Sequence, residues 1–284
     1  MPPFVPEPGP GAYTGLGTWV DLFETAAWAN PEAAVAKMAS HGVKTVYVES
    51  SNYSHEAGVV FPDQMARMID AAHAAGISVV AWYLPGLENI DQDLQKSLAA
   101  IGFTTAEGEG FDGFAMDIEA MLIHDPTQRT NALLRLSRKI RAEVGPNYPL
   151  GAITPNPMRL MGERNYWPDF PYPELSILYD VIMPMDYFGA VAEASNKAGA
   201  FKYSIQGLRE IRAGAVTPGV PIHVIGGLAA DITGPELEGF LKAVDKGKAI
   251  GYSVYNFTTT GEADWAGLQS AVAAGLTNGV GATP

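Results

Sequence analysis

Apolar and polar positions along the chain fall into short alternating blocks. Runs rich in β-branched and aromatic residues are each followed by a stretch with helical spacing, and Gly, Pro, Asn or Asp separates them. The strand-like runs cover 16–20, 44–49, 77–84, 111–118, 148–154, 179–185, 220–225 and 249–255. Helical patterns follow at 31–41, 62–76, from about 91, 126–145, 197–213, 235–246 and 262–274. Asn30-Pro31 and Asp125-Pro126 each place a capping side chain before a proline at the first helical position, and Gly42, Gly76 and Gly145 supply stops. Leu133, Leu134, Leu136 and Ile140 form the apolar stripe of one such helix.

Strand and helix repeated eight times predict parallel pairing through crossover helices. A doubly wound open sheet shares that pattern, but no G-x-G-x-x-G or Walker loop follows any strand. The expected architecture is α/β, a single eight-stranded parallel (β/α)8 TIM barrel over 15–276. Residues 1–14 are expected to be a Pro/Gly-rich leader or linker, and 277–284 a flexible tail. At 284 residues the chain accommodates the roughly 250 that such a barrel takes.

Charge and composition narrow the partners. A net charge of -13 disfavours nucleic acid, whose phosphates need clustered Lys and Arg, and anionic membrane surfaces likewise. No stretch approaches the roughly 20 apolar residues of a membrane span. The absence of cysteine removes disulfides, thiolate zinc sites and a Cys nucleophile. No H-E-x-x-H spacing exists, so neither a metal nor a cofactor is expected. The first residues lack signal-peptide regions; secretion is expected if such a signal has already been removed.

Barrel enzymes carry their chemistry at the C-terminal ends of the strands. The polar residues expected there are Asp21, Glu49, Asp117, Glu119, Asn156, Asp186, Tyr187 and Asn256, with Trp19, Trp82, Tyr83 and Tyr255 beside them. In the fourth strand, alternation sends Phe114, Met116 and Ile118 toward the helices and Ala115, Asp117 and Glu119 into the barrel. Carboxyls two positions apart on one face have Cα atoms about 6.7 Å apart. Charges about 5 Å apart at an effective dielectric near 20 repel by roughly 3 kcal/mol, or about two pKa units. One carboxyl then stays protonated near neutral pH, as the proton donor of glycosidic cleavage must. The alternative is a solvated loop pair just past the strand.

The run DGFAMDIE, residues 112–119, resembles the D-G-x-D-x-D-x-E motif of family 18 glycoside hydrolases, the chitinase-like barrels. The resemblance implies Glu119 as proton donor and Asp117 as its assistant, which orients the substrate acetamido group. Met185-Asp186-Tyr187 is similar to that family's M-x-Y, which implies that Tyr187 helps hold the acetamide. The chain also resembles family 25 lysozymes, whose D-x-E and first-strand aspartate Asp117, Glu119 and Asp21 match. Both imply a carbohydrate partner carrying N-acetylated sugars.

Three departures accompany the match. Ala115 stands where family 18 has its first motif aspartate, Tyr255 where it has a tryptophan, and AWYLPG where it has S-x-G-G. Strand seven ends without a carboxylate before Asp231, so a substrate-assisted reaction is expected. Asp21, Glu49, Trp19, Trp82, Tyr83, Asn156, Asp186, Tyr255 and Asn256 are the expected substrate contacts. Two other functions remain open: a non-catalytic carbohydrate-binding barrel, and a metal-dependent hydrolase or lyase using Asp21, Asp117, Glu119 and Asp186.

Overall fold

The computed structural model describes residues 4–163 and 166–276. The expected tail at 277–284 lies outside the described residues. Eight strands pair in parallel, each with its sequence neighbour, and β1 closes on β8. They are β1 Gly15–Val20, β2 Thr45–Asn52, β3 Ser78–Leu84, β4 Gly113–Asp117, β5 Leu150–Pro155, β6 Val181–Asp186, β7 His223–Leu228 and β8 Gly251–Tyr255. Around them lie α1 Thr25–Ala29, α2 Pro31–Ser40, α3 Pro62–Ala74, α4 Ile90–Ile101, α5 Pro126–Val144, α6 Pro157–Gly162, α7 Tyr172–Leu178, α8 Lys197–Gly214, α9 Gly234–Lys246 and α10 Glu262–Ala273. The (β/α)8 barrel expected from periodicity is the fold.

Capping follows the sequence. Asn30 Oδ1 accepts from Ala33 N at 3.3 Å and Asp125 Oδ1 from Gln128 N at 2.8 Å, which fixes the starts of α2 and α5. Two differences bear on the site. Strand β2 runs past Glu49 to Asn52, with a register irregularity between Glu49 and Ser51. The β5–β6 connection carries α6 and α7, which are too short to show a helical period.

Alternation divides the core in two. One set of strand side chains packs against the helices, including Val48, Ala81, Phe114, Met116 and Ile182. The other fills the lumen: Trp19, Tyr47, Val80, Trp82, Ala115, Ile153, Met183 and Ile225. The lumen is closed below by Tyr13, on a 3-10 turn at Pro10–Tyr13 within the stretch expected to be a leader. Its hydroxyl donates to the Phe114 carbonyl at 3.0 Å. Glycine makes this fit possible. A Cβ on Gly113 would lie 2.7 Å from the Tyr13 hydroxyl, and one on Gly151 2.8 Å from its ring.

Above Tyr13 a polar chain climbs the lumen. His223 Nδ1 lies 2.9 Å from the Tyr13 carbonyl, and its Nε2 lies 2.9 Å from Ser253 Oγ. Trp19 Nε1 donates to that Oγ at 2.8 Å. Burial lowers the His223 pKa to about 4, so the ring is neutral, with Nδ1–H donating downward and Nε2 accepting from serine. Trp19 is thereby held by its nitrogen, and Tyr47 stacks on it at 4.3 Å.

Candidate active site

At the C-terminal end of the barrel a cavity of about 290 Å³ opens between the strand ends. Its walls include Trp19, Asp21, Glu49, Trp82, Asp117, Glu119, Tyr187 and Tyr255, and Ile153, Met185 and Ile225 give it an apolar floor. Eight of the residues expected at the site therefore share one cavity. Asp117 ends β4 and is buried, whereas Glu119 stands two residues past it, half-buried at the mouth. Ala115, Asp117 and Glu119 face the lumen side while Phe114, Met116 and Ile118 pack outward, as alternation requires.

Both carboxyls hold protons more tightly than usual. Burial pushes Asp117 well above the ordinary carboxylate range, and the charges of Glu119 and Glu49 push it further. Burial also raises Glu119, while the nearby Arg159 guanidinium lowers it. Like-charge repulsion, the whole of the sequence argument, is thus present but second to desolvation. One Asp117 oxygen is buried with no hydrogen-bond partner among the described residues. The two groups titrate as a unit. They share protons as a pair, and Glu119 is the one a ligand reaches.

Across the cavity, Asp21 and Glu49 are fixed by neutral donors. Asp21 accepts from Phe23 N at 2.8 Å, Tyr255 hydroxyl at 2.6 Å and Asn256 Nδ2 at 3.0 Å. Glu49 accepts from Leu22 N and Asn52 Nδ2, each at 3.0 Å. Burial raises the Glu49 pKa, with Asp21 adding to the rise. Tyr187 stays a phenol, pushed up by burial and by the two β4 carboxyls.

No protein-family model matches the sequence, and no curated protein does. Solved structures do. A chitinase from Chromobacterium violaceum ATCC 12472 matches at TM-score 0.63 and 12% identity, over 92% of this chain and 99% of that one. A chitinase from Bacteroides thetaiotaomicron matches at TM-score 0.65 and 9% identity, over 95% and 98%. The endo-β-1,4-mannanase from Thermotoga petrophila matches at TM-score 0.68 and 9% identity, over 96% and 79%. The fold is that of barrel glycoside hydrolases. At such identity the likeness is one of architecture, and the chemistry has to be argued from this chain's own side chains.

Two of the departures from the family 18 pattern turn out to be neighbours in that barrel. Trp82 of β3 pairs in register with Ala115 of β4. A large side chain on β3 stands beside a small one on β4, where the family pattern has small residues and an aspartate.

Four expected contacts are corrected. Tyr83 follows Trp82 and so points outward, where its hydroxyl donates to Asp93 Oδ1 on α4 at 2.6 Å. Asp186 follows the inward Met185 and faces the helices, and Asn156 lies one step beyond the β5 strand end on the same outer side. There Asn156 Nδ2 donates to Asp186 Oδ1 at 2.6 Å, and Asn156 Oδ1 caps α6 through Met158 N. Asn256 lies outside the cavity wall and acts on it through Asp21. The sequence reading missed Asn52, Arg159, and Phe23, which stands at the rim 80% exposed. The polar stretch after Glu49 was the signal for Asn52; nothing in the strand pattern marks Arg159, which sits on the short α6.

Proposed function

We propose that this chain hydrolyses O-glycosidic bonds in a polymer of N-acetylated amino sugars, with Glu119 as general acid and Asp117 as its partner. The observation that carries the reading is the Asp117–Glu119 carboxyl pair, raised by burial, at the wall of an aromatic-lined cavity. A donor must carry its proton at working pH and reach the leaving oxygen, and Glu119 meets both demands. Strand β7 contributes Ile225 to the cavity and no carboxylate, which supports attack by the substrate's own acetamido oxygen. In that reaction the oxygen bonds to the anomeric carbon as the glycosidic C–O bond breaks. Glu119 passes its proton to the departing oxygen, and its carboxylate then takes one from the water that opens the cyclic intermediate. Asp117 holds the acetamido N–H and stabilises the positive charge that develops there, while the Tyr187 phenol donates to the acetamido oxygen.

Glu119→Gln is expected to lower turnover of N-acetylglucosamine oligomers or peptidoglycan by at least about 100-fold, with an unchanged far-UV spectrum. Undiminished turnover in that variant overturns the assignment. Because the acid works in its protonated form and its pKa is raised, kcat/KM of the parent chain should persist above the usual carboxylate range and fall as pH rises further. Ala115, in place of a motif carboxylate, favours a second reading, a barrel that binds these sugars without cleaving them. Oligomer binding by a parent chain that releases no product selects it.

A further inference from the structure

Four carboxyl side chains line the cavity, and among the described residues no Lys, Arg or His does. Asp21 and Glu49 are held by neutral donors. The donors to Asp21 are a backbone amide, a phenol and a side-chain amide; those to Glu49 are a backbone amide and a side-chain amide. Among the described residues no cation contributes to the pKa of Glu49 or Asp117, and Arg159, on the β5–β6 connection, is the one that bears on Glu119. Trp19, Trp82 and Tyr255 supply aromatic surface to the same cavity, Trp82 on the strand between β2 and β4. Two buried polar groups at the wall, Asp117 Oδ1 and Trp82 Nε1, have no partner among the described residues.

Carboxylates beside aromatic rings in a partly dehydrated cavity attract cations twice over, by charge and by the ring quadrupole. A neutral N-acetylated sugar uses only part of that field. We infer that the cavity takes a partly N-deacetylated amino-sugar polymer, in which a ring bearing a free ammonium lies against Asp21 and Glu49 while an N-acetylated ring faces Asp117 and Glu119. The inference rests on the proposed glycosidase reading and adds to it the charge of the substrate. The two walls divide the work: β4 carries the carboxyls that exchange protons, and β1 with β2 carries those that hold a fixed positive charge. The resemblances in the sequence imply N-acetylated sugars; the site adds a preference for a cationic glycan.

Calorimetry on the Glu119→Gln chain compares a fully N-acetylated glucosamine tetramer with partly deacetylated tetramers. The amine-bearing ligands should bind about tenfold more tightly at 20 mM NaCl, with a smaller margin at 300 mM. Asp21→Asn and Glu49→Gln, each added singly, should erase most of that margin. Equal affinity for the two ligands overturns the inference, as does a margin that survives both substitutions and high salt. Should Asp21→Asn fail to fold, the Glu49→Gln variant and the salt series still decide. Hydrolysis by the parent chain is measured separately, so a missing reaction and a missing amine preference are different results.

Discussion

Asp117 and Asp186 are both buried carboxyls at strand ends, yet they face opposite sides of the barrel wall. Asp186 has no substrate to serve, and burial raises its pKa to about 7. In the unfolded chain the value is about 4, so folding favours the proton-bound form. The stability from this group is complete below about pH 4 and is lost as pH rises through about 7. Asp186→Asn should therefore raise the melting temperature more at pH 8 than at pH 4. Equal shifts at the two pH values contradict the assignment. What separated the two aspartates was legible, because alternation from Met116 or Met185 decides each one. The error lay in gathering every polar strand end without applying that test to Asn156, Asp186 and Tyr83. Burial as the leading cause of the Asp117 shift was not legible, since sequence spacing shows a neighbour but not the water removed around it.

Strands β3 and β4 meet in register at Trp82 and Ala115, and both side chains pack in the lumen. An aspartate at 115 has to displace the indole or bury a charge against it, whereas a small residue at 82 leaves a void beside Ala115. Ala115→Asp and Trp82→Ser should each destabilise the fold. The double variant should lose less than the sum, by about 0.5–3 kcal/mol in a denaturant-unfolding cycle. Strict additivity indicates that the two side chains are independent. Boundaries of the long elements were largely visible, because Asn30, Asp125 and their following prolines mark starts by chemistry. Helix α6 announces itself by the same Asn-Pro signature at Asn156-Pro157, but its short length hid the period. Strand β2 was placed too short because its extension past Glu49 is serine and asparagine, residues of low strand propensity that the neighbouring β3 ladder holds in place.

At the scale of the whole molecule, eight repeats of one pattern left little doubt about the barrel, while the N-terminal segment was misread from composition. Pro and Gly before Tyr13 signal a turn as readily as a linker, and here the turn delivers an aromatic ring to the lumen. Removing residues 1–14 should cost on the order of 3–5 kcal/mol in urea unfolding, comparable to deleting a buried aromatic. Tyr13→Ala in the full chain should account for most of that loss. A truncated chain as stable as the parent makes the segment dispensable.

That aromatic stopper has a consequence for traffic. With Tyr13 and the packed lumen beneath it, the cavity opens at the strand ends, where whatever departs crosses the path of whatever arrives. On the proposed hydrolysis, fragments and fresh chains would compete for that opening, so accumulated short oligomers should slow turnover in proportion to their occupancy of the mouth.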